Sequence, residues 1–349
     1  MHKFINIKFF DTPRQSTANS RMLIRDYYDR TALEEAIPLL TFRKFGQKRF
    51  IPKNEGKTIK FTRWGRLAAA TTPISDGITP AGNRLTQSDV TATLDQYGDF
   101  ILITDQVIMT AIDQYLSEAV RILGNQQGET IDKLASNMML TGSNAVYADT
   151  ATPGTAATSR DEVAAKISNK MLKKAVQTLQ VAMAKEIREQ VDATVKYNTS
   201  PIRKAFIGIC HVYSRQDIED LSNFTPVRKY ANQSDVMEGE FGEVDGVRFI
   251  ATTQAPEFLG AGANGTAIRE TGNLADIYPT FIFGQDAYGE VPLSNNSSAI
   301  IIKAPKANDD SNTSDPLNQR STVGWKTMTT FKILNDLWIV RLEHAVSEL

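Results

Sequence analysis

A single cysteine, Cys210, and three histidines, His2, His211 and His344, are all the thiol and imidazole this 349-residue chain contains. One cysteine excludes an internal disulfide framework and fits a reducing compartment. None of these side chains stands at ligand spacing from another, which excludes a zinc site, and no metal or other cofactor is expected. No apolar run approaches the roughly 20 residues needed to cross a bilayer, so no membrane partner is expected. Residues 1–10 lack both an uninterrupted apolar stretch and a small-residue cleavage site, which reads as a protein made and kept in solution. Net charge is lacking too: at −1 it supplies no overall drive toward nucleic acid or anionic membrane.

What is present is an ordinary soluble composition, 41% hydrophobic and 23% charged, sufficient for a substantial core. The length suits one large elaborated unit or two ordinary domains. Charge is unevenly spread. Residues 1–66 carry 15 basic and 6 acidic side chains, a balance of +9 that leaves −10 on the remainder. One end of the chain is thereby suited to attract the other end of a second copy.

Residues 1–46 read as a polar, basic arm with one short helical candidate at 31–40, limited by Pro38. The segment Thr58-Ile59-Lys60-Phe61-Thr62-Arg63-Trp64 alternates like a strand, and alternation resumes at Val90, Ala92 and Leu94 before the apolar run Phe100-Ile101-Leu102-Ile103. Between them, residues 67–88 are rich in Pro, Gly, Ala and Thr. A weakly structured loop of about 20 residues is unusual inside a compact domain, and an isolated two-stranded hairpin is marginal in water. The expected picture is a projecting arm supported by a neighbouring subunit.

Helical periodicity then runs through residues 105–140, roughly 50 Å at full length, with a bend or break expected over Gly124-Asn125-Gln126-Gln127-Gly128. Residues 141–160 read as a linker and 162–189 as a second amphipathic helix, with Ile167, Met171, Ala175, Leu179, Met183 and Ile187 on one side. Residues 205–210 read as a buried strand. Ser214 with Asp217 resembles a capping box opening a short helix to Leu221. Asp245-Gly246, between Val244 and Val247, is a hairpin turn. Near the end, Val323, Trp325, Thr327, Thr329, Phe331 and Ile333 alternate along one face, and residues 337–342 return after Asn335-Asp336.

Motifs of enzyme type lack the context their chemistry needs. Adjacent Cys210 and His211 point to opposite faces of a strand, which reads as a buried thiol beside a surface imidazole rather than a nucleophile and its base. Gly260-Ala261-Gly262-Ala263-Asn264-Gly265 matches G-x-G-x-x-G, yet Pro256 lies shortly before it and little helical pattern follows, so it reads as a flexible surface loop. Arg43, Lys44, Lys48 and Arg49, interleaved with Phe42, Phe45 and Phe50, read as a charged arm whose aromatics dock on protein rather than as a phosphate-binding patch. Asp309-Asp310 reads as a solvated turn. The chain is expected not to be an enzyme.

The order of these elements carries a resemblance. The run from Ile51-Pro52-Lys53 to Arg63-Trp64, then Asp76-Gly77-Ile78-Thr79-Pro80 and Gln96-Tyr97-Gly98, resembles the coat-protein family typified by the Enquatrovirus podophages. Two later segments agree, from Gly242-Glu243-Val244 to Phe249-Ile250 and from Asp315-Pro316-Leu317 to Trp325-Lys326. The resemblance spans about residues 30–345. It implies a major capsid protein of a tailed bacteriophage, an α+β Hong Kong 97-like subunit forming hexamers and pentamers of an icosahedral head around double-stranded DNA held without sequence specificity. On that mapping residues 1–46 are the N-terminal arm, 47–104 the extended loop and its strands, and 105–199 the peripheral domain with its spine helix. Residues 200–300 are mainly the axial domain, and 301–349 the return strands.

Its implied partners are other copies of itself, a scaffolding protein, a portal at one vertex and, as a further candidate, a decoration protein. Its implied location is the virion, after assembly in the host bacterial cytoplasm. The Lys, Asn and Glu trio that some relatives use for crosslinking is not identifiable, so covalent crosslinks are not expected. With the charge count, this implication makes Arg43, Arg49, Arg63, Trp64, Arg66, Asp76 and Arg84 the expected subunit-interface residues, and Asp245 and Gly246 a structural turn. Two other readings stay open: an encapsulin-like cargo compartment of the same fold, and a nucleotide-dependent enzyme using residues 260–265.

Overall fold

The computed structural model describes residues 40–348 except 53–54, 75, 78, 80, 105, 107–114, 192–198, 231–235, 294–298 and 304–318. Contacts divide the chain into Met1–Ala36 and Ile37–Leu349, and the description below concerns the second unit. The helical candidate at 31–40, apart from Leu40, and the Asp309-Asp310 turn lie outside the described residues.

Strand β1 (Gln47–Lys48) precedes a hairpin of β2 (Thr58–Trp64) and β3 (Gln87–Thr93), with Thr58 opposite Thr93 and Trp64 opposite Gln87. Strand β4 (Asp95–Thr104) follows at once. The projecting arm read from the sequence is thus present, and its connecting residues 65–86 hold a cross-link from Gly65 N–H to the Thr86 carbonyl at their base.

Helix α1 (Tyr115–Leu140) runs 26 residues, about 39 Å, without the expected break at residues 124–128. The apolar stripe fades there for another reason. The N-terminal half, through Ala119 and Leu123, packs on Ile103, Val323 and Trp325, whereas the C-terminal half, through Ile131, Ala135 and Met139, packs on a separate core with Phe42, Ile207, Phe281 and Phe283. The polar residues lie between two cores. Gln126 accepts from Trp325 Nε1 and donates to Asp99, and Gly128 admits Leu40, whose Cδ1 would stand 2.7 Å from any added Cβ.

Beyond α1 the supposed linker contains β5 (Ala145–Tyr147), a strand of the larger sheet. Helix α2 (Asn169–Val181) is shorter than the expected 162–189. Ser168 caps it by accepting from Met171 N–H, and Met183, at φ 54°, turns the chain out of the helix. Ile187 then opens β6 (Ile187–Val191) instead of extending the helical stripe. Strand β7 (Thr199–His211) contains the predicted buried segment, and α3 (Arg215–Glu219) follows. Ser214 makes no side-chain cap there, being itself helical at φ −77° and ψ −11° as the end of a preceding turn, and Asp217 instead accepts from Ser347 N–H at 2.9 Å.

After β8 (Thr225–Pro226), strands β9 (Glu240–Val244) and β10 (Val247–Thr252) form the predicted hairpin. Asp245 at φ 48° and Gly246 at φ 81° supply the two left-handed residues that a tight primed turn requires. A short pair, β11 (Glu270–Thr271) and β12 (Leu274–Ala275), precedes β13 (Ile277–Phe283), β14 (Tyr288–Pro292), β15 (Ala299–Lys303), β16 (Arg320–Ile333) and β17 (Ile339–Ala345).

The larger sheet runs β5-β17-β13-β7-β10-β9-β8, with β6 also on β7. Along β7, Phe206 and Cys210 face the α2 core while Ile207 and Ile209 face the α1 core. Both faces are covered, which is why residues 205–210 are continuously apolar. The smaller sheet runs β1-β14-β16-β15, with β4 on the other edge of β16. The segment at 337–342 returns as expected but not beside β16. Strand β17 joins the larger sheet between β13 and β5.

Candidate assembly interface

One face of the smaller sheet packs on α1; among the described residues the other is covered only towards β14, where Val291 and Met328 pack with Ile59, Phe61, Ala92 and Leu94. In β16, Val323 and Trp325 point to α1, as do Ile101 and Ile103 of β4. The alternate residues point away. Phe100, Gly324 and Ile301 lie side by side across β4, β16 and β15, with Leu102, Thr322 and Lys303 in the next row. Phe100 is 66% exposed, Leu102 52% and Ile301 37%. Gly324 matters here, since a Cβ at that position would meet Phe100 Cβ at 2.7 Å. Lys303, Lys326 and Arg320 flank the patch on the same face.

An unbroken apolar run such as residues 100–103 is the pattern of a strand buried on both sides. Among the described residues only one side is buried. This was the signal for the patch, legible as a run but not as a half-covered strand until the register was known.

The hairpin supplies a second exposed set. Trp64 is 61% exposed, and Leu67, Ile74 and Leu85 on the connecting residues are exposed as well. Arg63, Arg66, Asp76 and Arg84 all lie on the surface of this hairpin. Arg66 Nη1 approaches Met183 Sδ at 2.9 Å. Grooves of about 640 and 430 Å³ separate the hairpin stem from the body; Arg63 lines both and Arg49 the smaller.

Arg43, one of the expected interface residues, also has a partner within its own subunit. It holds Glu290 of β14 with Nε at 2.8 and 2.9 Å and Nη2 at 2.8 Å, and Glu290 is almost wholly buried. Arg43 is therefore engaged within its own subunit. Lys48 also reaches Glu290, at 3.7 Å, and burial lowers its pKa to about 8. Phe42 and Phe45 are buried in the α1 core, as expected of docking aromatics, whereas Phe50 is exposed.

Several buried charge groups escaped the sequence reading because their pairing depends on strand register and burial, which charge counting does not show. Arg248 and Glu240 pair through Nε at 2.7 Å and Nη2 at 2.5 Å, both wholly buried, and Glu240 also accepts from Met237 N–H. Buried Glu343 takes two hydrogen bonds from Arg160 and forms an ion pair with Arg341 at 2.7 Å. Such groups hold strands together, since each carboxylate is surrounded by donors.

The enzyme-like motifs resolve into packing. Cys210 is fully buried and burial raises its thiol pKa. His211 is buried too, not at the surface as expected: it lies against Tyr278 and Tyr213, and its Nδ1 accepts from Tyr213 N–H. The glycine motif is not a flexible surface loop. Gly262 is buried, with no room for a Cβ beside the Val163 carbonyl at 2.5 Å, and Gly260 N–H donates to buried Asp276. The element that follows Gly265 is strand β11, not a helix whose N-terminus could receive a pyrophosphate. Among the described residues no three His, Cys, Asp or Glu side chains converge as a metal site, and no helix is long and apolar enough to cross a membrane.

Comparison with known proteins places the sheet and helix arrangement. No curated protein matches. Among solved structures, the capsid asymmetric unit of cyanophage Pam1 aligns with a TM-score of 0.66 at 14% identity, covering 97% of this chain and 100% of that one. The capsid of Ralstonia phage GP4 aligns at 0.63 and 12% identity, covering 99% of each chain. The head structure of Helicobacter pylori bacteriophage KHP40 aligns at 0.61 and 13% identity, covering 96% of this chain and 98% of that one. At such identities the likeness establishes the fold, which is α+β and Hong Kong 97-like. A family model described as phage capsid protein matches residues 87–342, most of the chain, and the chain belongs to that family.

Proposed function

We propose that the chain is the major subunit of an icosahedral phage head, assembling as hexamers and pentamers around double-stranded DNA that it contacts without sequence specificity. The observation that carries the reading is the half-covered sheet: a row of Phe100, Leu102 and Ile301 left open on a subunit that also projects a hairpin bearing Trp64, Leu67, Ile74 and Leu85. Each is incomplete alone, and a second copy completes both. Repeated around a closed ring, such contacts become stable together although each is weak.

On this reading residues 1–46 are the arm, 47–104 the loop that lies over a neighbour, 105–199 the peripheral domain along α1, 200–300 mainly the axial domain, and 301–349 the return to the peripheral domain. Arg43, Arg49, Arg63, Trp64, Arg66, Asp76 and Arg84 serve the subunit interface. A separate scaffolding protein, a portal at one vertex and a decoration protein are the further partners. Assembly takes place in the host cytoplasm, and the chain is akin to the Enquatrovirus-type podophage coat proteins. The role is structural and needs no catalytic group.

Co-expression with the scaffolding protein, followed by negative-stain microscopy, tests the reading. Closed particles of uniform diameter are expected. A chain that remains monomeric at all concentrations with its scaffold present would overturn it.

A further inference from the structure

Residues 41–48 connect the N-terminal arm to the extended hairpin, and they are held by two buried carboxylates. Asp132, at the middle of the C-terminal half of α1, accepts from Thr41 N–H at 3.3 Å through Oδ2 and from Arg43 N–H at 3.2 Å through Oδ1, and Phe42 N–H faces it as well. Glu290 of β14 binds Arg43 and Lys48. Between these points Phe42 is wholly buried against Phe281, and its carbonyl accepts from Tyr288 Oη at 2.6 Å.

We propose that Asp132 and Glu290 form a latch that fixes where the arm and the hairpin leave the body, and that closing this latch takes up a proton. The geometry is that of a clamp on backbone: Asp132 grips the chain through main-chain N–H groups, so it holds residues 41–43 whatever their side chains.

The proton follows from where Asp132 sits. Burial raises its carboxyl from 3.8 to about 6, opposed by the N–H donors of residues 41–43 and by Lys44. Charged or titratable groups around it are Lys44, Arg43 and Lys48 from the held segment and Tyr288 and Glu290 from β14. With the latch open, Asp132 meets water and returns toward its ordinary value. The closed form thus binds a proton more tightly between pH 4 and 6, and it gains as pH falls through 6. Lys48, lowered to about 8, stays charged in both forms below pH 7 and adds nothing in that window.

From pH 7 to pH 5 the opening equilibrium should fall about tenfold. Amide hydrogen exchange of the full-length subunit, read on peptides covering residues 41–46 and corrected for intrinsic rates, measures it. Asp132→Asn should abolish the pH dependence. Tyr288→Phe, which loses the bond to the Phe42 carbonyl and keeps the carboxylate, should raise exchange at both pH values with the slope retained. A flat wild-type profile, or a slope that survives in Asp132→Asn, would overturn the proposal. The readout is made on the single subunit, so its outcome is independent of whether particles form.

Discussion

Replacing Phe100 and Leu102 together by serine tests the open face of the smaller sheet. Both side chains point away from α1, so the subunit itself loses little; its stability should move by no more than about 0.5 kcal/mol. What a neighbour can still cover is the exposed part, 66% of Phe100 and 52% of Leu102. Full burial of such side chains is worth roughly 1.5–3 kcal/mol each, so the exposed parts correspond to about 2–3 kcal/mol per subunit contact. That loss raises the concentration needed for assembly by about 30- to 150-fold. Light scattering against subunit concentration, with scaffold supplied, gives the threshold, and a thermal melt of the unassembled chain gives the control. An unchanged threshold refutes the assignment of this face to a subunit contact. A melting temperature lowered by many degrees refutes it differently, by showing that the two side chains serve the fold.

Charge reversal at Arg63, Arg66 and Arg84 together should reduce particle yield and leave the monomer melt unchanged; normal yields by gradient centrifugation would count against the basic hairpin as a contact. Gly246→Ala places a Cβ at φ 81° and should cost about 1 kcal/mol, visible as a lower denaturant midpoint with unchanged slope. Arg248→Met strands Glu240 as an unpaired buried carboxylate and should destabilise by about 3–5 kcal/mol, much of it recovered in the double variant with Glu240→Leu; equal losses in the single and double variants would contradict this. His344 is buried against Thr280, and burial lowers its pKa below 6.5, so the unfolded chain takes up the proton first and stability falls as pH drops below that value. Melts at pH 7.5 and 5.5 should therefore show a smaller acid loss in His344→Gln than in the wild type.

The candidate interface was partly legible. The hairpin was visible as two alternating segments around a Pro- and Gly-rich stretch, and Trp64, Arg63 and Arg66 do lie on its surface. The bond of Arg43 to Glu290 was not legible, because charge counting does not reveal an internal partner 247 positions away. Phe100 and Leu102 were noted only as part of an apolar run. Which of four consecutive apolar residues face outward depends on the register of β4 with β16, and that register is a property of the pairing.

Local preference by itself determined the hairpin turn at Asp245-Gly246, the alternation of β16 and the helical character of α1, because each rests on neighbours within a few residues. Tertiary structure decided the rest. It stopped α2 at Val181 since Ile187 finds a better place in a strand, and kept α1 continuous through Gly124 to Gly128 because two separate cores share it. It sent β17 to the larger sheet rather than back along β16, and turned a nucleotide-like glycine motif into close packing. It also left one sheet face open. Burial of distant residues against one another outweighs local propensity wherever the two disagree, and an uncovered apolar face appears only when the whole chain has been placed.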